Sequence, residues 1–370
     1  MRKPKEIRKH DLDTPCLIID LDTLDRNIAS MQAFARSAGK SLRPHAKSHK
    51  CTAVARRQRD AGAIGISVAT VAEAEALVNA GITGVLLTSP MVTPHTIARL
   101  LNCRERAEKS FLTVTDGPEH ARLLDDAARK RGLTLDVLLD LDIGLSRTGV
   151  LPEEALEAAL SIADLTALRF RGVQAYAGHV QHIPGWEERR RASLASMEAA
   201  AGVVRRLREA GLPCDILSGT GTGTHDIDTV IPELTEFQVG SYVLMDAEYL
   251  GIGSPGSAEF AAFRPALTLL ATVVSARHEG FVTIDAGLKA LYHDGAVPRV
   301  VAPGIPGLVY SWFGDEFGKL TIPEGALMKT GDTVELVVSH CDPTVAMFDR
   351  FYIVREDLVV DVWEIDMRRR

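Results

Sequence analysis

The chain has 370 residues, 46% apolar and 25% charged, an ordinary globular composition with length enough for two domains. Its net charge of −7 excludes a general nucleic-acid coat, which needs a basic face. No stretch approaches the roughly 18 apolar residues of a membrane span, and the basic start MRKPKEIRKHD has no apolar run behind it to make a secretory signal.

In chain order, residues 15–20 (PCLIID) read as a strand able to join either domain. Short apolar runs then recur at 42–45, 64–69, 84–88, 111–114, 136–141, 172–176, 214–218 and 236–239. Most are too continuously apolar for half-exposed strands, as expected of parallel strands covered on both faces. Helical patterns lie between them at 71–80, 118–130, 152–163 and 186–210, the first and last closing on Gly81 and Gly211. This alternation predicts an α/β fold, a closed (β/α)8 barrel of the TIM type, with an open doubly wound sheet as the alternative. Beyond Pro255-Gly256 the long helical patterns stop. Residues 266–275, 280–285, 332–339 and 351–366 are rich in Val, Ile, Leu and Thr, with turn residues between them. The expected division is a barrel over 21–255 and a β-rich domain from 1–20 and 256–370. The five cysteines (Cys16, Cys51, Cys103, Cys214, Cys341) stand singly without a C-x-x-C. Neither a disulfide framework nor a zinc ribbon is indicated, and a reducing cytoplasm is the expected compartment.

Barrel chemistry belongs at the C-terminal ends of the strands. Polar segments, four of them Gly-containing, stand at five of those places: RPHAKSHK (43–50), DIGLSRTG (142–149), QAYAGHVQH (174–182), SGTGTGT (218–224) and QVGSY (238–242). In the 219–224 loop, alternating glycines let backbone N–H groups turn toward one anion, and threonine hydroxyls add donors. The loop is neither a P-loop nor G-x-G-x-x-G, so a nucleoside triphosphate is not implied. Lys47 closes the first strand among His45, His49 and Lys50. Desolvation beside other cations makes a lysine a Schiff-base nucleophile. A lone lysine is ordinarily a surface charge, but a phosphate loop in the same barrel supplies what pyridoxal 5′-phosphate needs.

Arg147 is a candidate for the cofactor's phenolic oxygen or a substrate carboxylate, or else a helix-start ion pair. Tyr242 is a candidate to stack on the cofactor or bind its phosphate, or else a half-buried barrel residue. His179 and His182 are candidate general bases, or else satisfied loop histidines. His340-Cys341-Asp342 follows the run VELVVS, and in an extended chain residues i and i+2 share a face. His340 and Asp342 would then present a nitrogen and an oxygen to a divalent ion such as Mn²⁺, Zn²⁺, Co²⁺ or Mg²⁺. A surface His–Asp hydrogen bond is the plainer reading.

Together, R-P-H-A-K-S-H-K, D-x-G-x-x-R-T-G-V, Q-A-Y-x-G-x-x-Q-H, S-G-T-G-T-G-T, Q-x-G-S-Y-V-x-M-D and H-C-D-P-T resemble a known group. It is the D-threonine aldolase-like branch of the fold-type III pyridoxal-phosphate enzymes. That branch includes D-serine dehydratases and D-3-hydroxyaspartate aldolases, and shares its fold with alanine racemase. The resemblance runs in order from about residue 10 to 365. It implies that Lys47 holds the cofactor and that Arg147 lies beside its ring. It puts Ser218, Gly219, Thr220, Gly221, Thr222 and Tyr242 at its phosphate. Tyr176 and His182 match the pocket tyrosine and the base, and His340 and Asp342 the metal ligands. The dehydratases resemble H-x-C there, so Asp342 favours an aldolase, with Mn²⁺ the first candidate metal. Two departures stand out. Ala346 replaces the Asn of H-C-D-P-T-V-N, and Asp315-Glu316-Phe317-Gly318 lacks the His of an E-E-H-G-like turn. The implied reaction is retro-aldol cleavage of a D-3-hydroxy amino acid to glycine and an aldehyde, by a cytoplasmic homodimer without nucleic-acid or membrane partners. A D-serine or D-threonine dehydratase, a D-3-hydroxyaspartate aldolase, a non-catalytic pyridoxal-phosphate carrier and a racemase are the alternatives.

Overall fold

The computed structural model describes residues 7–108 and 110–368. Residues 1–6 of the basic start lie outside the described residues. The chain divides into two compact units. One comprises 29–47 and 52–240 with the residues from 367. The other comprises those up to 28, 48–51 and 241–366.

Strand β1 (Cys16–Asp20) and helix α1 (Leu21–Ser37) come first. The eight parallel strands of the larger unit follow: β2 (Ser41–Leu42), β3 (Ile66–Val68), β4 (Val85–Leu87), β5 (Phe111–Thr115), β6 (Leu135–Leu141), β7 (Leu168–Ala175), β8 (Ile216–Gly219) and β9 (Glu236–Phe237). Their order is β2-β9-β8-β7-β6-β5-β4-β3. The two ends of this sheet meet. His45 bridges Ser67 in parallel, and the Ile64 and Ser67 N–H groups donate to Leu42 and Pro44 carbonyls, both at 2.8 Å. The sheet is therefore a barrel, and the doubly wound alternative is excluded.

Helices α2 (Thr52–Asp60), α3 (Val71–Asn79), α4 (Pro94–Arg106), α5 (Pro118–Lys130), α6 (Ala155–Ala163) and α7 (Trp186–Glu209) alternate with the strands. Local signals set their ends. Thr70 and Glu73 form a capping box on α3, and Thr93 caps α4 ahead of Pro94. Several strands are shorter than the apolar runs suggest. The 42–45 run gives only β2, although the Arg43 and His45 N–H groups still donate to the Phe237 and Val239 carbonyls before the 3-10 turn over Ala46–Ser48. Glycine is required at 65, where a Cβ would lie 1.9 Å from the Gly84 carbonyl oxygen.

The smaller unit holds β1 with β10 (Leu267–His278), β11 (Phe281–Ile284), β12 (Arg299–Ala302), β13 (Val309–Trp312), β14 (Gly318–Thr321), β15 (Thr333–Val337), β16 (Arg350–Arg355) and β17 (Leu358–Glu364). It also holds the short helices α8 (Ala247–Leu250) and α9 (Cys341–Val345). The sheet order is β13-β14-β11-β10-β1-β16-β17, with β15 pairing β10 and β12. β1 lies antiparallel to β10 and parallel to β16, which settles the placement of residues 15–20. The division falls at Gly240–Ser241, ahead of the Pro255-Gly256 turn. Backbone bonds explain the difference. Ala266 N–H donates to Leu244 at 2.8 Å and Ala247 N–H to Val338 at 2.9 Å, so 241–252 is sewn to the β-rich unit. The apolar run 351–366 is a hairpin, with Glu356 at φ 53° in its turn.

Candidate active site

Lys47 stands half-buried in the 3-10 turn that follows β2. Its own N–H donates to His45 Nδ1 at 3.2 Å, and His45 Nε2 meets Thr88 Oγ1 at 3.1 Å. Thr88 Oγ1 itself donates to the Val68 carbonyl at 2.9 Å. An Nδ1 that accepts leaves the ring proton on Nε2, so His45 is a neutral strut holding the lysine turn.

A polar layer lies among the strand ends of the same unit. Asp140 accepts from Gln174 Nε2 at 2.8 Å and from Thr148 Oγ1 at 2.7 Å. Gln238 Nε2 donates to Gln174 Oε1 at 3.1 Å and to Ser218 Oγ at 2.8 Å. Burial pushes the Asp140 carboxyl up, and its hydrogen bonds to Thr148 and Gln174 partly offset that.

After β6 the chain folds around Asp142, which accepts from the Gly144 and Ser146 N–H groups, both at 2.9 Å. Those N–H groups hold its carboxyl below the ordinary carboxylate range. The turn presents Arg147 to solvent, its guanidinium carbon 6.0 Å from the centre of the Tyr176 ring. Gly178 makes room for that ring, since a Cβ there would lie 2.9 Å from Tyr176 Cε1. His179 is exposed, and His182 is half-buried just past the 3-10 turn Gly178–Val180.

The Gly-Thr loop leaves β8 with Thr220 at φ 70° and closes in a 3-10 turn over Thr222–Thr224. A Cβ on Gly219 would meet the Ala175 carbonyl oxygen at 2.2 Å, and one on Gly221 would meet Gln181 Oε1 at 2.2 Å. Gly219, which abuts backbone, is therefore obligatory, and a side chain at 221 would displace the Gln181 amide. Thr220 Oγ1 is buried and makes no hydrogen bond of normal geometry, though it lies near enough to help hold the charge of Asp228. A buried orphan hydroxyl in a glycine cradle at a barrel-strand end fits a phosphate monoester.

Tyr242 lies in the β-rich unit, fully buried in the turn Ser241–Val243 and packed edge-on against Phe263 with ring centres 5.5 Å apart. The expectation of an extended chain at 340–342 is corrected. His340 caps α9, and Cys341 and Asp342 are its first two residues. His340 Nε2 still comes to 3.9 Å from Asp342 Oδ1, while His340 Nδ1 lies 3.3 Å from Glu248 Oε2. Asp246 fixes the turn. It accepts from the Cys341 N–H and the Tyr249 N–H, both at 2.9 Å, joining α9 to α8. Cys341 is fully buried, and burial pushes its thiol well up. Among the described residues no group of three or more His, Cys, Asp or Glu side chains is arranged to hold a metal ion. The His340–Asp342 pair fits a more open site. Glu248 on Nδ1 orients the ring as outer carboxylates do for metal-bound histidines, and Nε2 faces an anionic oxygen.

Lys47, Arg147, Tyr176, His182 and 218–222 thus belong to the barrel unit, and Tyr242, His340 and Asp342 to the β-rich unit. The residues unassigned in the sequence are the supports: His45, Asp140, Gln174, Gln181 and Asp228. Polar residues inside otherwise apolar strands were the available signal for Asp140 and Gln174.

A closed parallel barrel with a lysine after its first strand and a glycine-threonine loop after its seventh is the architecture of a cofactor-dependent barrel enzyme. The profile of the alanine racemase N-terminal domain matches residues 19–248, and that of a putative serine dehydratase domain matches 266–354. The chain belongs to the alanine racemase-like family and carries its serine-dehydratase type of second domain. It is 38% identical to a D-threonine aldolase of Arthrobacter sp., over 96% of this chain and 93% of that one. It is 35% identical to a 3-hydroxy-D-aspartate aldolase of Paracoccus denitrificans, over 97% and 92%. Its fold superposes on the crystal structure of D-threonine aldolase from Filomicrobium marinum with a TM-score of 0.92 and 36% identity, covering 100% of this chain and 99% of that one.

Proposed function

We propose that the chain is a pyridoxal-phosphate-dependent, divalent-metal-dependent lyase that cleaves D-3-hydroxy amino acids of the D-threonine kind to glycine and an aldehyde. The observation that carries this reading is the strutted Lys47 and the glycine-threonine loop at strand ends of one barrel. The likeness to D-threonine aldolase supports it over both units. When bound, the cofactor supplies an electron sink for the Cα–Cβ bond and the metal a Lewis acid for the 3-hydroxyl.

The chain's own residues do the rest. Lys47 Nζ anchors the cofactor covalently. Thr220 and Thr222, with Ser218, Gly219, Gly221 and Tyr242, bind its phosphate. The Arg147 guanidinium binds an oxyanion beside the ring, and Tyr176 walls the pocket beneath it. His182 takes the proton of the 3-hydroxyl as the aldehyde forms. His340 Nε2 and an Asp342 oxygen hold the ion, with Mn²⁺ first among the candidates for this nitrogen–oxygen pair. The reading includes a homodimer in the cytoplasm. Five free, buried cysteines support a reducing compartment, and no helix among the described residues is long and apolar enough to cross a membrane.

Product analysis on D-threonine with added pyridoxal 5′-phosphate and Mn²⁺ tests the proposal. Glycine plus acetaldehyde supports it. 2-Oxobutanoate plus ammonia overturns it in favour of a dehydratase, the second reading, which the match of residues 266–354 favours. Cleavage of D-3-hydroxyaspartate in preference to D-threonine would assign Arg147 to the second carboxylate.

A further inference from the structure

The 219–224 loop is held from behind by a carboxylate that the reaction does not use. Asp228 is 1% exposed and accepts twice, from Ser193 Oγ at 2.6 Å and from Thr224 Oγ1 at 2.7 Å. With its proton committed to Asp228, Thr224 Oγ1 turns its lone pairs the other way. There it accepts from the Gly221 N–H at 3.4 Å and from Gln181 Nε2 at 3.2 Å. That fixes the Gln181 amide. Its Oε1 accepts the Gly223 N–H at 3.1 Å, and its Nε2 also reaches the Ala177 carbonyl at 3.2 Å. Every bond in the set has its direction dictated by the carboxylate, which can only accept. The Gly221 and Gly223 N–H groups are therefore held within this network, which fixes the course of the loop between them. Fully buried Arg189 makes a parallel link, donating to the Gly223 carbonyl at 2.7 Å and the Ile183 carbonyl at 2.8 Å.

We infer that Asp228 is a positioning residue that sets the binding shape of the 219–224 loop, and that Gln181 ties this shape to the turn carrying His182. The inference rests on the proposed function for the identity of the anion, a phosphate monoester. A buried carboxylate with only hydroxyl partners is an expensive way to stabilise a fold. Its use here lies in the one-way order it imposes on the loop. An Asn at 228 offers one N–H where both neighbours need an acceptor. Either Ser193 or Thr224 must then reverse, and a reversed Thr224 loses Gly221 or Gln181.

The test is a spectral titration of the cofactor-free full-length chain with pyridoxal 5′-phosphate and, separately, with pyridoxal, which forms the same Lys47 imine without a phosphate. The ratio of the two Kd values reads the loop alone. Asp228→Asn, the isosteric Thr224→Val and Gln181→Glu are each expected to cut that ratio about tenfold, the worth of one buried hydrogen bond. Pyridoxal affinity stays within about twofold, and Thr224→Ser, which keeps the hydroxyl, restores the ratio. An unchanged ratio in Thr224→Val or Asp228→Asn overturns the inference, as does an equal loss for both ligands, which marks a merely structural role. A wild-type chain that does not prefer the phosphorylated aldehyde overturns the phosphate reading of the loop itself, and the inference with it.

Discussion

Arg43 and Glu236 form a two-point ion pair inside the barrel, Nε to Oε1 at 2.8 Å and Nη2 to Oε2 at 2.9 Å, with side chains only 5% and 3% exposed. Arg43 also donates to the Gly84 carbonyl. The pair joins the continuation of β2 to β9 four residues before Lys47. Removing one partner strands a buried charge. Glu236→Ala is expected to cost about 3–5 kcal/mol of unfolding free energy, and replacing both residues by apolar ones of similar volume to recover most of it. Denaturant titration of both variants checks this, and equal losses would show that the pair has no such interdependence.

Lys47→Ala should abolish the absorbance of the bound cofactor while leaving the far-ultraviolet circular dichroism of the wild type. The turn around it is held by the Lys47 N–H on His45 Nδ1 and by His45 Nε2 on Thr88 Oγ1, bonds that an alanine at 47 keeps. Retained absorbance after dialysis would move the covalent role to another lysine.

Asp342→Ala should leave that absorbance intact and lower kcat by at least about a hundredfold, the scale expected when an ion that activates a hydroxyl is lost. Metal content measured on the same sample separates a lost ion from a misplaced one. A rate equal to wild type would remove the metal from the 340–342 turn.

Asp228 bears on pH as well as on binding. Burial pushes its carboxyl up to about 6, against hydrogen bonds from Ser193 and Thr224 and the nearby Thr220 hydroxyl, and the neighbouring Asp226 adds to the rise. The folded chain then keeps a proton that the unfolded chain gives up near 3.8. Stability contributed by this group is present below about pH 4, declines as pH rises to about 6 and is flat above, a difference on the order of 3 kcal/mol. Asp228→Asn is expected to remove that slope, read as melting temperature at pH 4, 5, 6 and 7 relative to wild type. Parallel curves for the two proteins would mean that Asp228 ionises freely.

Much of the fold was legible because its signals are local. The 118–130 helix begins at Pro118 behind Gly117 and ends at Lys130 as its pattern says. The strand at 111–115 is apolar at most positions because it is covered on both faces. The strands β12 to β14 were not read, since short runs such as Val309–Trp312 alternate exposed and buried residues with little apolar contrast. The segment at 340–342 was read as a strand because VELVVS precedes it. The chain instead caps a helix there, at a point set by Asp246, 95 residues away in sequence. The candidate cofactor residues were visible as motifs. Their supports were not, since Ser193 meets Asp228 across 35 residues and Gln181 meets Thr224 across 43, with no shared pattern.

The first strand of the chain carries a consequence for how the protein is made. β1 is an interior strand of the path β13-β14-β11-β10-β1-β16-β17, and its partners begin at Leu267 and Arg350. Leu17 waits for Leu269 on one side and Phe351 on the other. During synthesis β1 therefore emerges ahead of every barrel strand yet is paired after all of them. Such distant pairing is slow, and an unpaired apolar edge invites association with other chains. A ribosome that stops between His278 and Arg350 releases a chain whose barrel strands are all present but whose β1 lacks one of its two neighbours. Truncated products should collect in the insoluble fraction for that reason.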